Sequence, residues 1–438
     1  MQRFKWLSKT QSSFHLLNIV LISSTVCVTY IIASALLLHN SNSPLNVYSS
    51  YQDAYASTGL EHIVFGIASN QKSWLKRKEY VKLWWEPCQM RGYTSRFRYT
   101  FKVGLRSAIR VARVVLETVA LNHTNVRWYV FGDDDTVFFP QNLVKTLSKY
   151  DHLQLSTHRL WYYIGSGSEI YQQNKYFSFQ MAFGGAGFAI SYPLARVLAK
   201  VDSRVYSCLA ELGVGLTREP GFHQFDVRGD AFGLLATHPL TPLVSLHHMD
   251  HVDPIFPNMT ATKALEHLFH VVNVDSQRIL QQTVCYDRWF SWTISISWGY
   301  AVQVYSKHMF LPEVLSVPET FKQWTPGGVL AGSYTFNTRE FHPDPCQRPT
   351  TFLLDTVSSG RHGIMTVYKK SYENCTLDNG SPRKLGEIRV STKKLDLNYK
   401  QMQAPRRQCC DVLPSKSGEL LDIAIRECNE DELIHMHA

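Results

Sequence analysis

With 438 residues and a formal net charge of +9, the chain is long enough for two or three modules around a sizeable core. Its Lys and Arg residues are scattered rather than blocked, which argues against a nucleic-acid partner, while the basic balance helps a site receive an anionic, phosphate-bearing substrate. The nine cysteines include no C-x-x-C pair, and adjacent Cys409 and Cys410 lack metal-ligand spacing, so they argue for disulfides in an oxidising compartment and against a zinc site.

In chain order, a short tail (1–15) containing Arg3, Lys5 and Lys9 precedes the uncharged run LLNIVLISSTVCVTYIIASALLL at 16–38. That run is long enough to cross a bilayer as a helix. No Lys or Arg occurs in the following HNSNSPLNVYSSYQ, so the positive-inside bias puts the N-terminus in the cytosol and the bulk of the chain in the lumen. The length of the run and the lack of a small-residue cleavage site favour an uncleaved anchor over a signal peptide. Residues 39–60, rich in Ser, Asn and Tyr without helical periodicity, read as a stem. The sequons at Asn122, Asn258, Asn374 and Asn379 all fall on the lumenal side.

A first module is expected over 61–257. HIVFGIAS at 62–69 has the pattern of a buried parallel strand entering a loop, and SWLKRKEYVKLWW is mostly helical in spacing. LRSAIRVARVVLETVAL at 105–121 reads as an amphipathic helix leading into WYVFGDDDTVFFP. There Asp133, Asp134 and Asp135 sit between two apolar runs, at the C-terminal end of a strand, where open α/β sheets bind ligands. Burying adjacent carboxylates is expensive unless a cation or hydrogen-bond donors offset the charge, so something positive is expected beside them. Carboxylate ligands suit Mg²⁺ or Mn²⁺, ions that hold substrate phosphates.

Next, FGGAGFAIS supplies Gly184, Gly185 and Gly187 before a helix opening near Pro193. GFHQFDVRGDAFG carries Asp226 and Asp230, and PLVSLHHMDH carries His247, His248 and His251 after a β-like run, a further candidate metal cluster. Strands alternating with helices make an α/β sheet the economical architecture. Over 258–438 the character changes to short aromatic strands, such as RWFSWTISISWGYAVQVY with its alternating Trp289, Trp292, Ile294 and Ile296, and six cysteines. This predicts a β-rich, disulfide-stapled extension packed on the first module.

The ordered set HIVFGIA, FGDDDTVFF, FGGAGFAIS, GFHQFDVRGDAFG and PLVSLHHMD, spanning roughly residues 61–255, resembles the Fringe-like β1,3-glycosyltransferases, the group that includes Fringe and the core 1 β1,3-galactosyltransferases. A plant branch of Fringe-like proteins is the most similar, with C-terminal patterns like FNTREFHPDPCQRPTTFLLD. The resemblance implies a GT-A-type (Rossmann-like) α/β domain behind an N-terminal transmembrane helix, a UDP-sugar donor, possession of Mn²⁺, and inversion at the donor carbon. It also implies a Golgi type II membrane protein acting on a glycan or glycoprotein acceptor, with galactose as the donor sugar favoured by the family. By the same resemblance Asp135 is a metal ligand, Asp133 and Asp134 face nucleotide and sugar, and His248, with His247 as the alternative, is the second ligand. Asp226, ahead of Asp230, is the catalytic base, and Gly184, Gly185 and Gly187 let the substrates approach the backbone. A catalytically inactive sugar-binding protein and a metal-dependent phosphohydrolase are the competing functions. Two departures from the plant pattern stand out: Tyr93 runs straight into Thr94, and LQLSTHRLW replaces a shorter connection.

Overall fold

The computed structural model describes residues 22, 24–34, 58–85, 106–150, 160–200, 205–324, 332–361, 363–371, 374–375, 380–415 and 417–434. Residues 1–57 form one unit and 58–438 another. In the first, residues 24–34 are helical with exposed apolar side chains such as Val26, Ile31 and Ile32. Among the described residues no helix is long and apolar enough to cross a membrane. Apart from residue 22, the rest of the expected 16–38 span lies outside the described residues, as do the 1–15 tail, most of the stem, Cys88, the Tyr93–Thr94 junction and residues 151–159.

The second unit begins with β1 (Ile63–Ala68) and α1 (Gln71–Lys82), whose first turn is capped by Asn70 accepting the N–H groups of Lys72 and Ser73 at 3.0 Å. α2 (Arg106–Ala120) then leads to β2 (Trp128–Asp133). Along β2, Trp128 and Val130 pack into one apolar cluster with Phe138 and Leu143, while Tyr129 and Phe131 pack into another with Val115 and Leu194. Side chains alternate across a strand, and apolar residues occupy both sets here because both faces of the sheet are covered. β1 and β2 are parallel in register from Ile63 opposite Trp128 to Ala68 opposite Asp133. Both strands therefore end together, and Ser69 and Asp134 leave the same edge of the sheet.

β3 (Val137–Phe138) follows, then α3 (Pro140–Leu147), β4 (Tyr163–Gly165), β5 (Phe188–Ser191), β6 (Leu216–Arg218), β7 (Val227–Gly229) and β8 (Ser245–Leu246). The five-stranded sheet has the order β1-β2-β5-β4-β6, with β5 antiparallel to both neighbours. Outside it, β3 pairs antiparallel with β8, Val137 opposite Leu246 and Phe138 opposite Ser245.

α4 (Ala261–Asp275) opens the C-terminal region, with Thr260 at its N-cap. β9 (Gln282–Asp287), β10 (Trp292–Ser297), β11 (Ala301–Tyr305), β12 (Val317–Pro318), β13 (Phe321–Gln323) and β14 (Thr338–Arg339) come next. The last strands are β15 (Thr350–Gly360), β16 (Gly363–Lys370), β17 (Glu387–Thr392), β18 (Cys409–Leu413) and β19 (Leu420–Arg426). Eight of them make one sheet in the order β18-β19-β17-β16-β15-β11-β10-β9, antiparallel except for β17 with β19. The Cys285–Cys410 disulfide joins β9 to β18, the two ends of that order, so the sheet curls back on itself. Cys346–Cys375 and Cys409–Cys428 complete the staples, all three drawn from the six C-terminal cysteines, while Cys208 is buried in the first module.

Two features differ from the sequence pattern. Trp289 belongs to no strand; it is 90% exposed in the β9–β10 turn, where Asp287 accepts the Phe290 N–H at 2.8 Å and Ser291 takes φ 55°. A turn residue has no sheet face to share, so alternation failed there. The extension also shares its core with the first module: Phe139 stacks on Phe269 at 5.3 Å, and Phe225, Phe256, Trp298 and Tyr368 belong to one apolar cluster. β13 pairs antiparallel with β7, Phe321 opposite Gly229, which carries the extension to the edge of the aspartate loop's surroundings.

Candidate active site

The short β3–β8 ladder builds the site. β3 starts two residues after Asp135 and β8 ends one residue before His247, so their pairing sets the histidines beside the aspartate loop. Thr136 locks the loop from below, its Oγ1 accepting the Asp133 N–H at 2.8 Å and donating to the Gly185 carbonyl at 2.7 Å.

The three aspartates have different surroundings. Asp134 is buried and tied to α1, with Oδ2 accepting from Ser69 Oγ and Ser73 Oγ, both at 2.5 Å, and Oδ1 accepting from Arg77 Nη1 at 3.2 Å. Asp135, 2% exposed, has Arg77 Nη1 and His247 Nε2 each 3.2 Å from one of its oxygens, yet neither oxygen receives a well-aligned hydrogen bond. Burial alone would raise its pKa; His247 and Arg77 more than offset this and hold the carboxyl well below the usual range. Burial pushes the Asp133 carboxyl up to about 6, with His247 opposing and Asp135 and Asp134 adding to the rise.

Arg77 is the positive group nearest the cluster, reaching Asp134, Asp135 and, at 2.9 Å through Nη2, Asp250. Burial disfavours its charge, but the carboxylates prevail and raise its pKa. Sequence reasoning overlooked it, although Ser73 and Arg77 are four residues apart and so share one face of α1 with the capping end near Ser69.

The histidines are arranged for a metal. Asp135, His247 and His248 each offer one ligand atom, all within 4.8 Å of one another. His248 Nδ1 lies 3.0 Å from the Phe225 carbonyl, which can only accept. Nδ1 therefore carries the proton and Nε2 keeps its lone pair, the usual arrangement of a metal-bound imidazole with its other nitrogen anchored. Burial and the adjoining His247 push the His248 pKa down to about 3, so it is neutral at neutral pH. For His247, burial lowers the pKa but Asp135, followed by Asp133 and Asp226, raises it above the ordinary value; its Nδ1 is buried without a hydrogen-bond partner. A buried carboxylate with unmet lone pairs beside two imidazoles fits a first-row divalent cation such as Mn²⁺. His248 is held at φ 60°, between the His247 ring at 3.7 Å and the Trp324 ring, stacked at 4.5 Å and 15°. Trp324, just beyond β13, was not foreseen; its N–H donates to the Asp226 carbonyl at 3.0 Å. His251 instead faces Arg77 Nη2 at 3.3 Å.

Of the glycines, Gly185 and Gly187 leave no room for a side chain. A Cβ at Gly185 would fall 2.1–2.5 Å from ring atoms of His247, and Gly187 combines φ +82° with the Phe138 ring 2.6 Å from any Cβ. Gly184 is freer, a Cβ there meeting Val111 at 3.3 Å. Gly185→Ala is thus expected to displace His247 and to weaken Mn²⁺ binding by about ten- to a hundredfold, the scale seen when a ligand's surroundings are disturbed. Titration of Mn²⁺ against the variant reads this directly, and wild-type affinity would mean that His247 is not needed by the metal.

Asp226 lies beside the cluster, 7% exposed, with His248 Nδ1 3.5 Å away. Its Oδ2 accepts from Ser168 Oγ at 2.6 Å and its Oδ1 from Gln224 Nε2 at 2.9 Å. Burial raises its pKa against the pull of those two hydrogen bonds. Asp230 stands apart: exposed, it accepts the Phe232 N–H at 2.8 Å and serves the following turn. The fold thus gathers Asp133, Asp134, Asp135, Gly185, His247, His248 and Asp226, and leaves Asp230 outside.

A family model described as Fringe-like matches residues 104–224, which include the aspartate loop and the glycine turn. A second, described as protein of unknown function, DUF604, matches residues 173–410, more than half of the chain, and runs from the glycine turn through both histidines into the curled sheet. No curated protein matches. On these matches the chain belongs to the DUF604 family and is a Fringe-like glycosyltransferase family protein, with a GT-A-type α/β fold and a β-rich extension.

Proposed function

We propose that this protein is an inverting, divalent-cation-dependent glycosyltransferase that moves a sugar from a UDP-sugar to a glycan or glycoprotein acceptor, forming a β1,3 linkage. The observation that carries this is the buried Asp135 carboxylate with unmet lone pairs, set against His247 and His248 at the edge of the sheet. Asp135 and His248, with His247 as the alternative to His248, would hold Mn²⁺, which supplies charge neutralisation for the diphosphate leaving group. Asp133 lies beside the same cluster, and Asp134 with Arg77 fixes α1 against it. Asp226 takes the proton of the acceptor hydroxyl as that oxygen forms its bond to the donor carbon and the carbon–oxygen bond to UDP breaks. Galactose is the donor sugar that the family resemblance favours.

A Golgi location, as a type II membrane protein with a lumenal catalytic part, is supported by the uncharged run at 16–38 and by three disulfides, which persist in oxidising compartments.

The test is release of UDP from a panel of UDP-sugars, with Mn²⁺ or with chelator, in the presence and absence of glycan acceptors. Mn²⁺-dependent, acceptor-stimulated release is expected. A folded protein that turns over no donor would be a sugar-binding protein instead, and release of inorganic phosphate without an acceptor would make it a phosphohydrolase.

A further inference from the structure

A cleft of about 470 Å³, within the range of small-molecule sites, opens next to Ser168. Ser168, which lines it, is the residue whose hydroxyl donates to Asp226. One wall comes from residues 166–179 and the other from the extension, and the two are joined through the backbone. The Tyr171 N–H donates to the Ser333 carbonyl at 3.1 Å and the Thr335 N–H to the Glu169 carbonyl at 3.0 Å.

The lining is chemically mixed. Tyr171 and Phe179 lie 5.4 Å apart, 37% and 38% exposed, and Tyr334 stacks on Phe336 at 5.5 Å. Exposed rings beside a few polar groups suit a ligand with both C–H faces and hydroxyls. Arg218 and Asn337, both exposed, add donors at the rim.

Glu169 also lines the cleft, and a buried chain fixes its state. Burial lowers the pKa of both His223 and His238 and keeps them neutral; His238 Nδ1, 2.7 Å from the Pro239 carbonyl, carries its one proton there, and its Nε2 therefore accepts. His223 Nε2, 2.8 Å away, must then be the donor, which leaves His223 Nδ1 as an acceptor facing Glu169 Oε1 at 2.7 Å. Glu169 is therefore the donor, a neutral carboxylic acid. Burial points the same way, lowering the pKa of both imidazoles and raising that of Glu169. Its other oxygen, Oε2, is buried without a hydrogen-bond partner. The cleft thus has no carboxylate charge at its base.

We propose that this cleft is the acceptor subsite for an uncharged pyranose, with Phe179 and Tyr171 stacking on the sugar, the exposed Arg218 and Asn337 meeting its hydroxyls, and the extension's residues 333–337 forming one wall. This rests on the transferase reading only for the word acceptor; the sugar site itself stands independently. The Ser168–Asp226 hydrogen bond ties this cleft to the proposed base.

The test uses the full chain in detergent and saturation-transfer NMR with methyl β-D-galactopyranoside, methyl β-D-glucopyranoside, methyl β-D-xylopyranoside and methyl α-D-mannopyranoside. At least one should receive saturation from aromatic protons. Phe179→Ala should weaken that binding by about tenfold, the worth of an aromatic contact. Asn337→Ala, a second exposed change, should weaken it as well, while both variants bind UDP with Mn²⁺ as the wild type does. No glycoside binding, or binding indifferent to both substitutions, would overturn the subsite. Glycoside binding that tracks the cleft in a protein that never binds UDP would sink the transferase reading and leave the subsite standing.

Discussion

Asp135→Asn is expected to abolish Mn²⁺-dependent UDP binding while leaving the fold intact. The carboxylate is 2% exposed and lacks a well-aligned hydrogen bond at either oxygen, so its charge is held there at a cost in desolvation. His247 and Arg77 more than offset that cost and hold the carboxyl well below the usual range, so removing the charge gives up net attraction, while Arg77 keeps Asp134 and Asp250 as partners. The thermal midpoint should therefore fall slightly rather than rise, with the protein still folded. Loss of a ligand goes beyond the roughly ten- to hundredfold penalty for disturbing its surroundings, so Mn²⁺ affinity should fall by more than that. Calorimetric titration of Mn²⁺ and of UDP on the wild type, Asp135→Asn, His248→Ala and His247→Ala would also rank the two histidines. Wild-type affinities in Asp135→Asn would remove the metal site from this loop.

Why the loop was visible in the sequence and much of its setting was not follows from what fixes each part. The strand with three carboxylates at its end is local: Trp128 to Phe131 alternate between two apolar clusters, and the charges begin where the strand ends. The histidines were also visible as a cluster, but their placement depends on Val137 pairing with Leu246, more than a hundred residues away. No period in the sequence encodes that partner. Trp324 reaches His248 for the same reason, through the β7–β13 pairing, and it lies in a part of the chain whose composition suggested only a stapled β-module. Cysteine pairing was open in the sequence because six residues allow many connectivities; closure of the curled sheet selects Cys285 with Cys410. Arg77 is the opposite case. Its four-residue spacing from Ser73 was on the page, and what hid it was a neighbourhood full of Lys and Arg.

Asp226→Asn is expected to leave Mn²⁺-dependent UDP binding close to wild type and to cut turnover by about a hundredfold or more, the usual contribution of a general base. The substitution is well suited to the site. Gln224 donates through Nε2 and its Oε1 already accepts the Ala186 N–H, so the new amide must turn its oxygen toward Gln224 and its nitrogen toward Ser168. Ser168 Oγ accepts the Ile170 N–H at 3.1 Å and has a second lone pair for the amide, while its own O–H gives up the acceptor it had in Asp226, a modest cost in stability that leaves the fold standing. What is lost is the ability to take a proton. Asp230→Asn should be mild by comparison, because that side chain is exposed and its one described role, accepting the Phe232 N–H, passes to the asparagine oxygen. Turnover and UDP affinity measured side by side separate the outcomes. If Asp230→Asn is dead and Asp226→Asn active, the base is Asp230 and the transferase chemistry stands; if both turn over normally, proton removal falls to neither aspartate.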